Sequence, residues 1–130
     1  MQAFIVELPN QPGSMAAVCK ALGGRGVNIT GMAGATSGDV GSLAFAADDE
    51  DGARAVLQTH GWSFREVETV VASLEHRPGS LGEAARRMAD AGVNVETMFA
   101  TGMDGDRVQV AFGVSDSAAA KAALEDLAAS

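Results

Sequence analysis

The chain states one pattern twice. Pro12-Gly13-Ser14 returns as Pro78-Gly79-Ser80, and Gly26-Val27-Asn28-Ile29 returns as Gly92-Val93-Asn94-Val95, each displaced by 66 residues. A constant displacement across half of a 130-residue chain means two copies of one structural unit. The natural division is 1–68 and 69–130. A unit of that size buries only ~60% of the surface its unfolded chain exposes, so each copy is expected to pack on a neighbour. The 47% apolar content supplies enough core for both.

The same elements can be traced through both copies. Residues 2–8 alternate as a strand, with Phe4, Val6 and Leu8 on one face and Ile5 on the other. Val70, Ala72 and Leu74 repeat that face. After each Pro-Gly pair comes a helical stripe, Met15, Val18, Cys19 and Leu22, then Leu81, Ala84, Ala85 and Met88. Second strands start near Asn28 and Asn94 and lead through Gly-rich turns, Thr36–Asp39 and Thr101–Asp106, into third strands. There the displacement becomes 67 (Phe45 to Phe112), which places one inserted residue in the second turn. Second helices follow acidic starts at Asp48-Asp49-Glu50 and at Asp116. The first copy adds a strand near 62–67, for which the second has no residues left. The expected fold class is α+β: two ferredoxin-like βαββαβ units, the second lacking its final strand, with helices on one face of an antiparallel sheet. Strand parity assigns Ile5, Met32, Ala44, Val71, Met98 and Ala111 to the other face. That face is too apolar to stay wet, so a homodimer is expected.

At its two corners the sequence resembles the ACT domain family. The matching residues are Asn10-Gln11-Pro12-Gly13-Ser14-Met15 with Gly26-Val27-Asn28-Ile29, and His76-Arg77-Pro78-Gly79-Ser80-Leu81 with Gly92-Val93-Asn94-Val95. The resemblance covers nearly the whole chain. It implies a tandem protein whose units pair through first helices and second strands into a sheet of about seven strands. It also implies a free amino acid bound between units, near one corner and the other unit's second strand. The matching ligand-binding positions are Asn10, Gln11, Pro12, Gly13, Ser14, Asn28 and Ile29, then His76, Gly79, Ser80, Asn94 and Val95. His76 departs from the family's Asn. The residues themselves agree with such a ligand. A helix start exposes unpaired N–H groups and a positive dipole end to a carboxylate. Gly13 permits close approach, and Asn28 offers both a donor and an acceptor. On this reading Asn28 contributes more to binding than Ser14.

Other functions find little support. Nine basic residues against seventeen acidic ones, net −8, argue against nucleic acid or an anionic membrane as partner. The lone Cys19 forms no intrachain disulfide, and no apolar run reaches membrane-spanning length, so a cytoplasmic protein is expected. No metal-ligand spacing, nucleophile elbow or phosphate loop is present, and His60 and His76 stand in separate contexts. The reading is a regulatory protein without catalysis or cofactor. A ligand-free subunit of an amino-acid biosynthetic enzyme is the alternative.

Overall fold

A computed structural model describes residues 1–127. The elements run β1 (Gln2–Pro9), α1 (Ser14–Gly24), β2 (Ile29–Ser37), β3 (Val40–Ala47), α2 (Glu50–Thr59), β4 (Phe64–Glu75), α3 (Ser80–Asp90), β5 (Val95–Asp104), β6 (Arg107–Val114) and α4 (Ser117–Ala123). A 3-10 turn, Glu125–Leu127, follows. The chain divides into two compact units, Gln2–Glu66 and Val67 onward together with Met1. Each is a ferredoxin-like α+β layer pair.

In the first unit the strands lie in the order β2-β3-β1, followed by the opening residues of β4. Phe4, Val6, Leu43 and Phe45 from the sheet meet Val18 and Leu22 of α1 and Val56 and Leu57 of α2 in one core. The Phe4 and Phe45 rings stack at 5.3 Å. In the second unit the order is β4-β6-β5. Val70, Leu74, Val110 and Phe112 meet Ala84 and Met88 of α3 and Ala120 and Leu124 of α4. The acidic starts are caps. Asp49 accepts from Gly52 N (2.9 Å), and Asp116 accepts from Ala119 N (3.0 Å), each satisfying an amide that its helix cannot.

Three expectations are corrected. The strand near 62–67 and the strand carrying Val70–Leu74 are one continuous strand, β4, so there are six strands among the described residues and not seven. Between Val67 and Val71 the chain reads Glu68-Thr69-Val70, with no Gly or Pro to turn it and with β-branched residues that favour extension.

The inserted residue of the second copy is not in the turn. Both turns are the same two residues, Gly38-Asp39 and Gly105-Asp106, each with Gly at φ 61°, as a Gly-first hairpin turn requires. The extra residue is Thr101, taken up as a bulge where β5 pairing skips from Ala100 to Gly102. An edge strand absorbs a residue at lower cost than a fixed two-residue turn.

Met32 and Met98 do not lie on the open face. Bulges between Ile29 and Gly31 and between Val95 and Thr97 flip the parity. Met32 therefore pairs with the core residue Phe45, and Met98 with Phe112, on the helix side of the sheet. Of the open-face set, Ala44 and Ala111 are buried, and Ile5 and Val71 are half-buried. Besides Met1, Val40 and Met103, the large exposed apolar side chains are Met15 and Met32, repeated as Leu81 and Met98, on the first helices and the edge strands.

Two outcomes follow from the backbone and charge arrangement. Gly79 is left-handed at φ 92°, whereas Gly82 is helical with open space where a Cβ would go. Gly79→Ala is expected to cost ~1–2 kcal/mol and Gly82→Ala to gain up to ~1 kcal/mol, read from urea midpoints. Separately, Arg54 donates to both oxygens of Glu66 (2.8 and 2.5 Å) and thereby holds that carboxyl below the usual carboxylate range. A carboxyl depressed on folding adds stability above its unfolded pKa and loses it as pH falls through the folded one. Arg54→Met is expected to flatten the acid limb of stability against pH, and an unchanged limb would show that the pair contributes nothing.

Candidate functional site

Each site begins where the first strand of a unit turns into its first helix. In the first unit Asn10 N donates to Asp39 O (2.8 Å), and Asn10 Nδ2 donates to Gly38 O (2.9 Å). Asn10 therefore latches the corner to the β2–β3 turn, and its amide oxygen stays available as an acceptor. Gly13 then turns the chain at φ 90°, a left-handed value that disfavours any side chain. Because the cap is glycine, no side chain closes the helix start. Ala17 N reaches Gly13 O, while the amides of Met15 and Ala16 have no acceptor among the described residues.

The second corner repeats this backbone. His76 N donates to Asp106 O (2.8 Å), Gly79 turns at φ 92° without a side-chain cap, and Glu83 N reaches Gly79 O (2.9 Å). The Leu81 and Gly82 amides are left open in the same way. His76 makes no equivalent of the Asn10 side-chain latch.

The first residue of each helix carries the most telling feature. The hydroxyls of Ser14 and Ser80 are buried and have no hydrogen-bond partner. Ser80 is only 8% exposed. Leaving one such group unpaired costs ~1–3 kcal/mol, and here it occurs at both equivalent positions. Each serine lines a cleft, ≈ 300 Å³ at Ser14 and ≈ 380 Å³ at Ser80. The first is bounded by the corner residues Asn10 and Gln11 and by Thr36 and Ser42 of the hairpin strands. The second is bounded by Glu75, His76 and Arg77 and by Met98 and Val108. Arg77 donates to Glu75 at 2.5 Å and holds that carboxyl below its usual range.

Of the residues singled out by sequence, Asn10, Gln11, Ser14, His76 and Ser80 line these clefts, and Pro12, Gly13 and Gly79 shape the turn beside them. Asn28, Ile29, Asn94 and Val95 do not line them. Asn28 N donates to Asp48 Oδ1 (2.9 Å) and Asn94 N to Ser115 Oγ (3.0 Å), closing the opposite end of each hairpin. At ~3.3 Å per residue that is about 20 Å along the strand from the corner of the same unit. Ile29 and Val95 pack against the cores. Sequence reading missed Thr36, Ser42, Met98 and Val108, whose approach depends on strand register. No group of three or more potential metal ligands and no helix long and apolar enough to cross a membrane occurs among the described residues.

The comparisons agree with this fold. The ACT domain model matches residues 3–60. No curated protein sequence matches the chain. Protein BT0572 from Bacteroides thetaiotaomicron is 21% identical with a TM-score of 0.79, covering 96% of this chain and 86% of its own. The ligand-free regulatory subunit of aspartate kinase from Thermus thermophilus is 23% identical with a TM-score of 0.67, covering 95% and 87%. A putative C-terminal regulatory domain of aspartate kinase from Porphyromonas gingivalis W83 is 14% identical with a TM-score of 0.61, covering 99% and 93%. At these identities the likeness is one of fold. The first unit is matched by the ACT domain model, and the second repeats its elements, its Pro-Gly corner and its Gly-Val-Asn entry, so the chain carries an ACT-type unit followed by a second unit of the same design.

Proposed function

We propose that this protein is a non-catalytic regulator that binds a free amino acid at its Pro-Gly corners and passes occupancy to a partner. One observation carries the reading: a buried, unpartnered serine hydroxyl stands beside an uncapped first helical turn, twice, at equivalent positions. A carboxylate would satisfy both the hydroxyl and the open amides, and it suits the positive end of the helix dipole. In the first unit the free Asn10 oxygen supplies an acceptor for an ammonium. With only a few net hydrogen bonds of ~0.5–1.5 kcal/mol each, affinity is expected at ~μM to mM.

Fold neighbours that are regulatory subunits or domains of aspartate kinase support an enzyme of amino-acid biosynthesis as the partner. A second reading, a ligand-free subunit of such an enzyme acting in the cytoplasm, draws on the exposed apolar pairs Met15 with Met32 and Leu81 with Met98. These would equally serve a homodimer.

A thermal-shift screen against the twenty amino acids separates the readings. A ligand at 100 times its dissociation constant adds ~2.7 kcal/mol, enough to raise the midpoint by several degrees. Silence from all twenty, with an enzyme co-purifying, would favour the second reading. The serines provide an independent check. Without ligand, Ser14→Ala and Ser80→Ala are expected to hold or raise stability, by up to ~1–3 kcal/mol, because an unpaired buried hydroxyl is removed. Binding should nevertheless weaken, and because Ser14 lines the cleft and Asn28 does not, more for Ser14→Ala than for Asn28→Ala, the reverse of the order expected from the sequence. Loss of stability in both alanine variants would show that the hydroxyls serve the fold and not a ligand.

A further inference from the structure

The two clefts share a backbone and differ in what lines them. In the first, the floor is Gly34 and Gly41, and Met15 lies across it: a Cβ on Gly34 would come within 2.7 Å of Met15 Cε. The rim offers Asn10, Gln11, Thr36 and Ser42, all polar and uncharged. In the second, Ala100 and Val108 replace the glycines and Leu81 replaces the methionine. Ala100 thus carries a methyl group at the position where Gly34 leaves room for the tip of Met15 in the first unit. The second cleft is the larger, ≈ 380 against ≈ 300 Å³. Its walls are Leu74, Leu81, Met98, Val108 and Val110.

The rim has changed in the opposite sense. Pro9 and Gln11 of the first corner correspond to Glu75 and Arg77 of the second. These two form an ion pair at 2.5 Å, each about half exposed (56% and 53%). A carboxylate and a guanidinium thus stand together at the mouth of an apolar cleft. The lining also includes Ser80, whose hydroxyl is buried and unpartnered, and Leu81, whose amide is open, as is that of Gly82 next in the helix. That set mirrors an α-amino acid: donors for its carboxylate, an acceptor for its ammonium, and apolar walls for its side chain.

Resting on the reading of the corners as amino-acid sites, we infer that the second cleft selects amino acids with apolar side chains of about leucine or methionine size. The α-carboxylate is taken by Ser80, the helix amides and Arg77, and the ammonium by Glu75. The first cleft, its floor filled by Met15, admits only smaller and more polar side chains. His76, which departs from the family's Asn, does not disable the second corner, because the charged pair beside it supplies what an Asn would.

The test is calorimetric titration of the full chain with L-leucine and L-methionine against L-serine, L-threonine and L-lysine. Ala100→Phe fills the second cleft from an exposed edge-strand position, and Arg77→Gln installs the first corner's residue. The expected result is that leucine or methionine binds at least tenfold tighter to the second cleft than the polar amino acids do. Each variant should weaken that binding at least tenfold while circular dichroism stays unchanged. Leucine affinity unmoved by both variants, or polar amino acids bound as tightly and displaced by Ala100→Phe, would overturn the selectivity while leaving the corners as amino-acid sites. No heat from any amino acid would remove the underlying reading and the selectivity with it.

Discussion

A single left-handed glycine at the entry to a helix is the constraint on which each unit depends. Gly13 and Gly79 turn a strand into a helix within a few residues, and only a residue without a Cβ takes that backbone value at little cost. The same choice removes the side chain that would otherwise cap the helix. Where α2 and α4 start, Asp49 and Asp116 accept from backbone amides. Where α1 and α3 start, nothing does. One chain therefore carries two kinds of helix start, closed by aspartate where the helix only supports the sheet and open where it faces a cleft. The serine at the first helical position makes the contrast sharper, since its hydroxyl is buried there without a partner.

Much of this was legible in the sequence. The repeat, the strand and helix order, the hairpin glycines and the aspartate starts follow from spacing and from residues whose local preferences are strong. What escaped was decided by pairing between strands. Nothing near Thr97 marks a bulge, and Gly31 is only a hint of one, yet those bulges decide which face Met32 and Met98 occupy. The absorbed residue at Thr101 reads in sequence as a longer loop, because an insertion and a bulge leave the same trace until register is known. The fusion of two strands into β4 turned on a missing signal, the want of a turn residue between Val67 and Val71. In the site, Pro12, Gly13 and Ser14 were visible, but the lack of a partner for the Ser14 hydroxyl was not, since it depends on burial. Asn10 and Asn28 look alike in sequence; only the fold puts one beside a cleft and the other at the far end of a hairpin.

The two copies also show how a repeat diverges without losing its frame. Backbone bonds at the corners are nearly superimposable in kind, Asn10 N to Asp39 O and His76 N to Asp106 O, both 2.8 Å. The side chains around them have separated. The second copy carries a ladder of alternating charge, Glu75, Arg77, Glu83, Arg87 and Asp126, running from the end of β4 along α3 to the 3-10 turn. The equivalents in the first copy are Pro9, Gln11, Ala17, Ala21 and Thr59, none charged. Exposed pairs of this kind add little stability individually. Their consequence is positional: Asp126 bonded to Arg87 ties down the segment after α4, and Glu75 bonded to Arg77 fixes a charge pair at the cleft mouth.

If the corners bind as proposed, an open helix start also gives occupancy a route into the fold. A ligand shifts a conformational equilibrium only by its differential affinity for the two states. At these corners that difference is built from groups left unsatisfied when the cleft is empty: two amides and a hydroxyl per unit. The corner is in turn bonded to the hairpin turn, so ordering one orders the other. In the first unit Asn10 makes that link twice, through backbone and side chain, and the turn is held whether or not the cleft is filled. In the second, His76 makes it once, through the backbone alone. Under the proposed function, the unit with the weaker latch and the charge pair is the one whose hairpin would respond most to a ligand, which would put the signal on the β5–β6 end of the second copy.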